Sequence, residues 1–306
     1  MTTPIRIVTD SAAQFIHPDT VKRYHITVVP LGIRINGHDY YEGVDLSTEQ
    51  FNRKALLSPE LPQLLPPSAE SLAQVYAGLH RETNQILSIH LSRAFHPTWE
   101  NAKKAAETLL GRCDIAVLDS QSIAVGQGLL VEAAARLAEQ QVSLDDIMRE
   151  IRKLVPHIYS VFCVERLGYL TRANLMMQSQ VVLGEMLGIK PFLTIEDGEL
   201  LAMEKARSRL QAVDRLVEFA TEFAAVEQIA VLHSGTTPSE QTRQLLERMS
   251  DETQRDDFPV LTYQPSLGCF IGPDALGIMI YEREFRRGSD EDTADLTDLA
   301  DLDDEP

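Results

Sequence analysis

One stretch of the chain concentrates groups able to act on a ligand. Ser92-Arg93-Ala94-Phe95-His96-Pro97-Thr98 places hydroxyls, a guanidinium and an imidazole between the end of an apolar run and the start of a helical pattern. A loop of that kind holds a carboxylate or phosphate through backbone amides, hydroxyls and the positive end of the helix dipole, with Arg93 and His96 adding charge. The same residues also suit an ordinary strand-to-helix connection. Nucleophilic chemistry has two candidates, Ser92 or Cys269, with His96 as the base. No acid is placed to orient the imidazole and no Gly-x-Ser-x-Gly elbow exposes a serine, so a hydrolase is the weaker reading.

The other motifs carry less. The histidines form no His-x-x-x-His pair and the cysteines no Cys-x-x-Cys, so a zinc site would have no local ligand cluster, and no metal or other cofactor is expected. Gly126-Gln127-Gly128 resembles half a dinucleotide fingerprint but falls inside a helical pattern, where close approach to a neighbour or a bound chain explains it better. His233-Ser234-Gly235-Thr236-Thr237 reads first as a turn plus cap. Asp10-Ser11 and Asp119-Ser120 each end a strand, where ligands of open α/β sheets gather, although capping and turn formation account for them more simply.

These loops hang on short β-rich runs alternating with longer helical patterns, the signature of parallel α/β units. Strands are expected at Ile5 to Thr9, Ile26 to Ile35 (bent or at an edge because of Pro30), Gln85 to Leu91 and Ile115 to Leu118. Helices are expected from Ser68, from Trp99 to Leu110 with Pro97 at the first helical position, through Leu129, Ala133 and Leu137, and after Ser143. The second half changes character. Ile158 to Val164, a hairpin at Asp197-Gly198, Ile229 to Leu232, Val260 to Tyr263 and Ala275 to Tyr281 predict a mixed sheet, with helices near Val182 to Leu187, Ser208 to Ala225 and Thr237 to Met249. The expected division is residues 1–164, residues 165–287 and an acidic tail, residues 288–306.

Composition narrows the function classes. The chain has 306 residues, 44% hydrophobic, and a formal net charge of -18. Nine acidic residues and no basic one lie between Gly288 and Pro306, leaving the body at -9. A basic face for nucleic acid is therefore not expected, and the tail is expected to be disordered and solubilising. No apolar run approaches a membrane span or a signal core, and the three scattered cysteines suggest no disulfide framework, so a cytoplasmic protein is expected.

Several segments in one order resemble a known family. They are Ile7-Val8-Thr9-Asp10-Ser11, Val29-Pro30-Leu31, Ile86 to Ser92, Val117-Leu118-Asp119-Ser120, Gly126 to Val131, Ile189 to Thr194, Asp197-Gly198-Glu199, Glu204 to Arg209 and Gly272 to Gly277. Together they resemble the DegV family of bacterial lipid-binding proteins over roughly residues 4 to 283. The resemblance implies a two-domain α/β fold, with a mainly parallel N-terminal sheet, a mixed C-terminal sheet and a fatty acid in a tunnel between them. It also implies a carrier that catalyses nothing alone and presents its long-chain acyl ligand to a separate fatty acid kinase.

The head-group positions depart from the family pattern. The carboxylate-binding threonine position holds Leu64, and the head-group histidine position holds Phe270, flanked by Cys269 and Gly272. A serine-rich family motif corresponds to Ser92 through Trp99, where Arg93 and His96 replace small polar residues. A Gly-Gly-Arg-Ile-Ser motif corresponds to Ala173 through Met177, so Arg207 alone keeps a charged head-group role. The expectation is a carrier whose acyl-binding site is lined by Leu64, Ser92, Arg93, His96, Arg207, Cys269, Phe270 and Gly272. The alternative is a relative that has lost carboxylate binding and serves as an interaction module or binds another ligand.

Overall fold

The computed structural model describes residues 4–172 and 175–282, and the acidic tail expected over residues 288–306 lies outside them. In the first half, β1 (Arg6–Asp10) is followed by α1 (Thr20–Arg23), β2 (Thr27–Val29), β3 (Gly32–Ile35) and β4 (His38–Tyr41). Next come α2 (Thr48–Leu57), β5 (Gln63–Leu65), α3 (Ala69–Leu79), β6 (Gln85–His90), α4 (Thr98–Glu107), β7 (Asp114–Asp119), α5 (Ala124–Glu139) and α6 (Leu144–Leu154). The second half contains β8 (Ile158–Cys163), α7 (Tyr169–Arg172), α8 (Gln178–Met186), β9 (Lys190–Glu196), β10 (Glu199–Ala206) and α9 (Arg209–Thr221). It closes with β11 (Val226–His233), α10 (Glu240–Thr253), β12 (Val260–Thr262), α11 (Pro265–Ile271) and β13 (Leu276–Glu282).

The first sheet has the order β2-β1-β6-β7 and every pairing in it is parallel. Ile7, Val8, Ile86, Leu87 and Ile89 are buried because helices cover both faces, as parallel sheets require. The second sheet, β10-β9-β8-β13-β11-β12, is mixed: only β11 and β12 run parallel. Its outer face packs on α9 and α10 through Val213, Leu216 and Leu245. Its inner face joins the first half in one apolar cluster that unites Leu31, Leu91 and Val125 with Phe162, Leu193 and Met279. This two-domain α/β arrangement matches the expected fold class.

Local departures from expectation have identifiable causes. The run from Ile26 to Ile35 breaks at Pro30 into β2, at an edge of the first sheet, and β3, in a separate small sheet ordered β4-β3-β5. Pro has no N–H to give a ladder, so the chain changes sheets there. Pro97 caps α4 rather than opening its first turn. Ser143 caps α6 through the Asp146 N–H, while the Asp146 carboxylate accepts from the Ser143 hydroxyl instead of reaching back to the backbone. Strand β8 pairs with both β9 and β13, so a division after residue 164 would cut a central strand from its own sheet. The Asp197-Gly198 hairpin forms as expected, with both residues at positive φ, the twist a two-residue turn needs.

Two close contacts can be probed directly, one within the first half and one across the halves. A Cβ added at Gly128 would collide with the Gln14 backbone, which α5 passes at close range. Gly128→Ala is expected to cost ~1–3 kcal/mol, seen as a lower thermal midpoint; wild-type melting would contradict this packing. The second contact is Glu42, just after β4, which accepts from the Ser11 hydroxyl at 2.5 Å and from the Ser266 N–H of α11 at 2.6 Å. Burial pushes its carboxyl from 4.5 up to about 7. The folded chain therefore holds this proton up to about 7, while the unfolded chain releases it near 4.5. That stabilisation is complete below 4.5 and is lost as pH rises through about 7. Relative to Glu42→Gln, wild type is expected to lose several degrees of melting temperature between about pH 5 and about pH 8. Parallel melting curves would contradict it.

Candidate functional site

The site begins at the carboxyl end of β1, where Asp10 is fully buried. Its Oδ2 accepts from the Leu91 N–H at 3.1 Å and lies 2.8 Å from His90 Nδ1. Its Oδ1 accepts from the Ala12 N–H at 3.1 Å and from Gln127 Nε2 at 3.0 Å. Ser88 Oγ lies 2.8 Å from His90 Nε2 and accepts from the Tyr76 hydroxyl at 2.8 Å. Ser88, His90 and Asp10 thus follow the order of a nucleophile, base and orienting acid. All three are 0% exposed, and burial raises the Tyr76 phenol to about 12. With no access for a carbonyl substrate, the relay holds the end of β6 and the loop that leaves it.

That loop is the stretch singled out by its chemistry. The Ser92 hydroxyl donates to the Gly198 carbonyl at 2.7 Å and accepts from the Ala94 N–H at 3.2 Å. It is engaged by the hairpin of the second sheet rather than by His96. The Arg93 N–H donates to Asp119 Oδ1 at 3.2 Å. Its guanidinium lies 3.4 Å from Asp119 Oδ2 and 5.2 Å over the Trp99 ring. Burial raises the Asp119 carboxyl despite these partners. His96 is buried with Nδ1 at 2.7 Å from the Thr98 hydroxyl, and burial holds its imidazole below the usual range, favouring the neutral form. Asp10-Ser11 and Asp119-Ser120 act as turn formers: Asp10 accepts from Ala12, Asp119 from Gln121, and Ser120 from Ser122.

The structure brings several of the expected site residues together. Leu64 on β5, Cys269 and Phe270 on α11, and Phe95 belong to one apolar cluster, with Leu175 and Met176 packed against it. The Phe95 and Phe270 rings meet edge-on, 5.1 Å between centroids. His96 stands beside the Leu64 backbone. Gly272 ends α11 at φ 89°, its carbonyl accepting from the Tyr263 hydroxyl at 2.7 Å. Arg207 is set apart. It is exposed and follows the last residue of β10, whereas Ser92 touches the turn that opens that strand. The strand between them spans roughly 25 Å.

The apolar seam between the halves is closed by the chain's own side chains: Ile33, Leu91, Phe162, Leu193 and Met279 are each at most 1% exposed. Space lies along its margins. A cleft of ≈ 850 Å³ runs between the halves past Arg93, Trp99, Asp119, Ile158, Ile195 and Phe219. A smaller cavity of ≈ 120 Å³ lies against Ile16, Val125, Leu129, Leu154 and Tyr281. Among the described residues no group of three or more His, Cys, Asp or Glu is placed to hold a metal ion, and no helix is long and apolar enough to cross a membrane.

Comparison with known proteins agrees with this architecture. The family model described as "Uncharacterised protein, DegV family" matches residues 4–283. A DegV domain-containing protein of Caldanaerobacter subterraneus is 30% identical over 282 residues, covering 91% of this chain and 99% of that one. The fatty acid binding DegV protein of Bacillus subtilis superposes with a TM-score of 0.76 at 26% identity, covering 92% of this chain and all of the other. A fatty acid binding DegV family protein of Streptococcus agalactiae superposes at 0.80 and 23% identity, over 92% and 100%. The chain therefore belongs to the DegV family.

Proposed function

We propose that the protein is a carrier that holds one long-chain acyl ligand in the seam between its two halves and performs no chemistry on it. The observation that carries this reading is the continuous apolar cluster contributed by both domains, bordered by a cleft of ≈ 850 Å³. That volume falls in the range of about 300–1,000 Å³ usual for small-molecule sites. The fatty acid binding of the Bacillus subtilis and Thermus thermophilus DegV proteins supports it. Because the seam is packed shut, loading separates side chains that touch one another in this structure, and the cleft is where that separation starts. Purified protein is expected to show by native mass spectrometry one bound acyl compound that organic extraction removes. Protein that comes from several hosts without a ligand, and takes none from added acyl compounds, would sink the proposal.

The polar end of the ligand sits, in this reading, against Leu64, His96 and Phe270, with Ser92, Arg93, Cys269 and Gly272 around it, while Arg207 at the far end of β10 stands outside that group. Leu64, Phe95 and Phe270 form an apolar wall there, and Arg93 is already paired with Asp119. A carboxylate buried against that wall lacks the partners it needs. Each hydrogen bond to a charged group is worth about 1.5–3 kcal/mol. The double substitution Leu64→Thr, Phe270→His is therefore expected to raise the affinity for free fatty acid by at least about tenfold. Unchanged affinity in a folded variant would remove the head group from this position. Delivery to a separate fatty acid kinase, a cytoplasmic location and a domain division at the turn before β8 complete the proposal.

A further inference from the structure

A second cavity, of ≈ 420 Å³, lies beside the first sheet, bounded by Ser11, Phe15, Val28, Glu42, Leu46 and Gln264. Among the described residues that line it, Glu42 is the one charged group. Glu42 is 4% exposed. The Ser11 hydroxyl and the Ser266 N–H are its hydrogen-bond donors, at 2.5 and 2.6 Å, and neither is a cation. The Asp10 carboxylate, itself held by His90 and Gln127, adds like-charge repulsion. Gln264, which also lines the cavity, keeps its Oε1 buried without a hydrogen-bond partner. The cavity thus offers two acceptors, one able to carry a full negative charge, and walls that are otherwise mainly aliphatic and aromatic. A buried carboxylate without a counter-ion is costly, and an orphaned amide oxygen adds to that cost. One species relieves both: a cation with N–H donors and a small apolar body.

We propose that this cavity is a binding site for a small organic ammonium ion, its N–H groups directed to Glu42 and Gln264 Oε1 and its alkyl group packed on Phe15, Val28 and Leu46. The proposal does not rest on the acyl-carrier reading, because it needs no acyl ligand, although Leu46 belongs to the same apolar cluster and the Glu42–Ser266 bond crosses between the halves. Burial, with repulsion from Asp10 adding to it, moves the Glu42 carboxyl up to about 7 against the pull of its hydrogen bonds. A bound cation needs the ionised form, so binding and proton release are linked.

The test is titration of the full chain with n-butylammonium, followed by calorimetry, with uncharged n-butanol as the isosteric control. One saturable site is expected, tightening about tenfold per pH unit below Glu42's midpoint and levelling above it. Butanol is expected to bind at least about tenfold more weakly. Glu42→Gln is expected to remove that preference. Gln264→Leu, which leaves Glu42 in place, is expected to weaken butylammonium several-fold and serves if the Glu42 variant melts early. The proposal is overturned by absence of saturable binding, by equal binding of butanol, or by undiminished binding to a folded Glu42→Gln protein.

Discussion

The fold turns on one buried carboxylate. Asp10 ends the central pair of parallel strands in a place that water does not reach, where a charge persists only if every direction around it is filled by donors. The donors come from different parts of the chain: the turn after β1, the end of β6, the His90 ring and Gln127 of α5. Satisfying Asp10 therefore sets where the loop after β6 departs and how α5 crosses the sheet. The residues around the proposed ligand inherit their positions from that arrangement.

From there the two halves are joined in two chemically different ways. One is apolar and continuous, the cluster that runs from Leu31 and Leu91 to Phe162 and Met279. The other includes a few polar attachments: Ser92 on the Gly198 carbonyl, Glu42 on the first turn of α11, Gln14 on the Thr262 carbonyl and Asn52 on the Ser234 carbonyl. Apolar contact tolerates sliding and separation, because it is non-directional. Hydrogen bonds do not, since they fail beyond a few tenths of an ångström. The geometry suits a seam that opens by side-chain rearrangement while its register stays pinned at the polar points.

Much of this was legible in the residues, and the misses have physical explanations. The strand ends at Asp10 and Asp119, the Asp197-Gly198 turn, the close packing at Gly128 and the interruption at Pro30 all announce themselves through backbone chemistry local to a few residues, although not that the chain changes sheets there. The small sheet of β3, β4 and β5 does not, because its strands are 3–4 residues long and carry polar residues such as Arg34, His38 and Gln63. Helix α11 was missed because nearly all of its seven residues are buried, which erases the amphipathic period. The Ser88-His90 pair was visible only as alternation on one strand face, and its link to Asp10 and Tyr76 spans 80 and 12 residues of chain. Arg207 looked equivalent to Ser92 as a site residue because sequence carries no measure of the strand that separates them.

The chain contains one tryptophan, and it stands at the margin of the seam. Trp99 lies between two cations, Arg93 at 5.2 Å and Lys103 at 4.8 Å from its ring, with its indole nitrogen buried and lacking a hydrogen-bond partner. Its emission therefore arises from a single, electrically distinctive corner of the molecule, free of overlapping signals from other indoles. The protein carries its own optical gauge of that boundary, with no dye to attach and no label to perturb it.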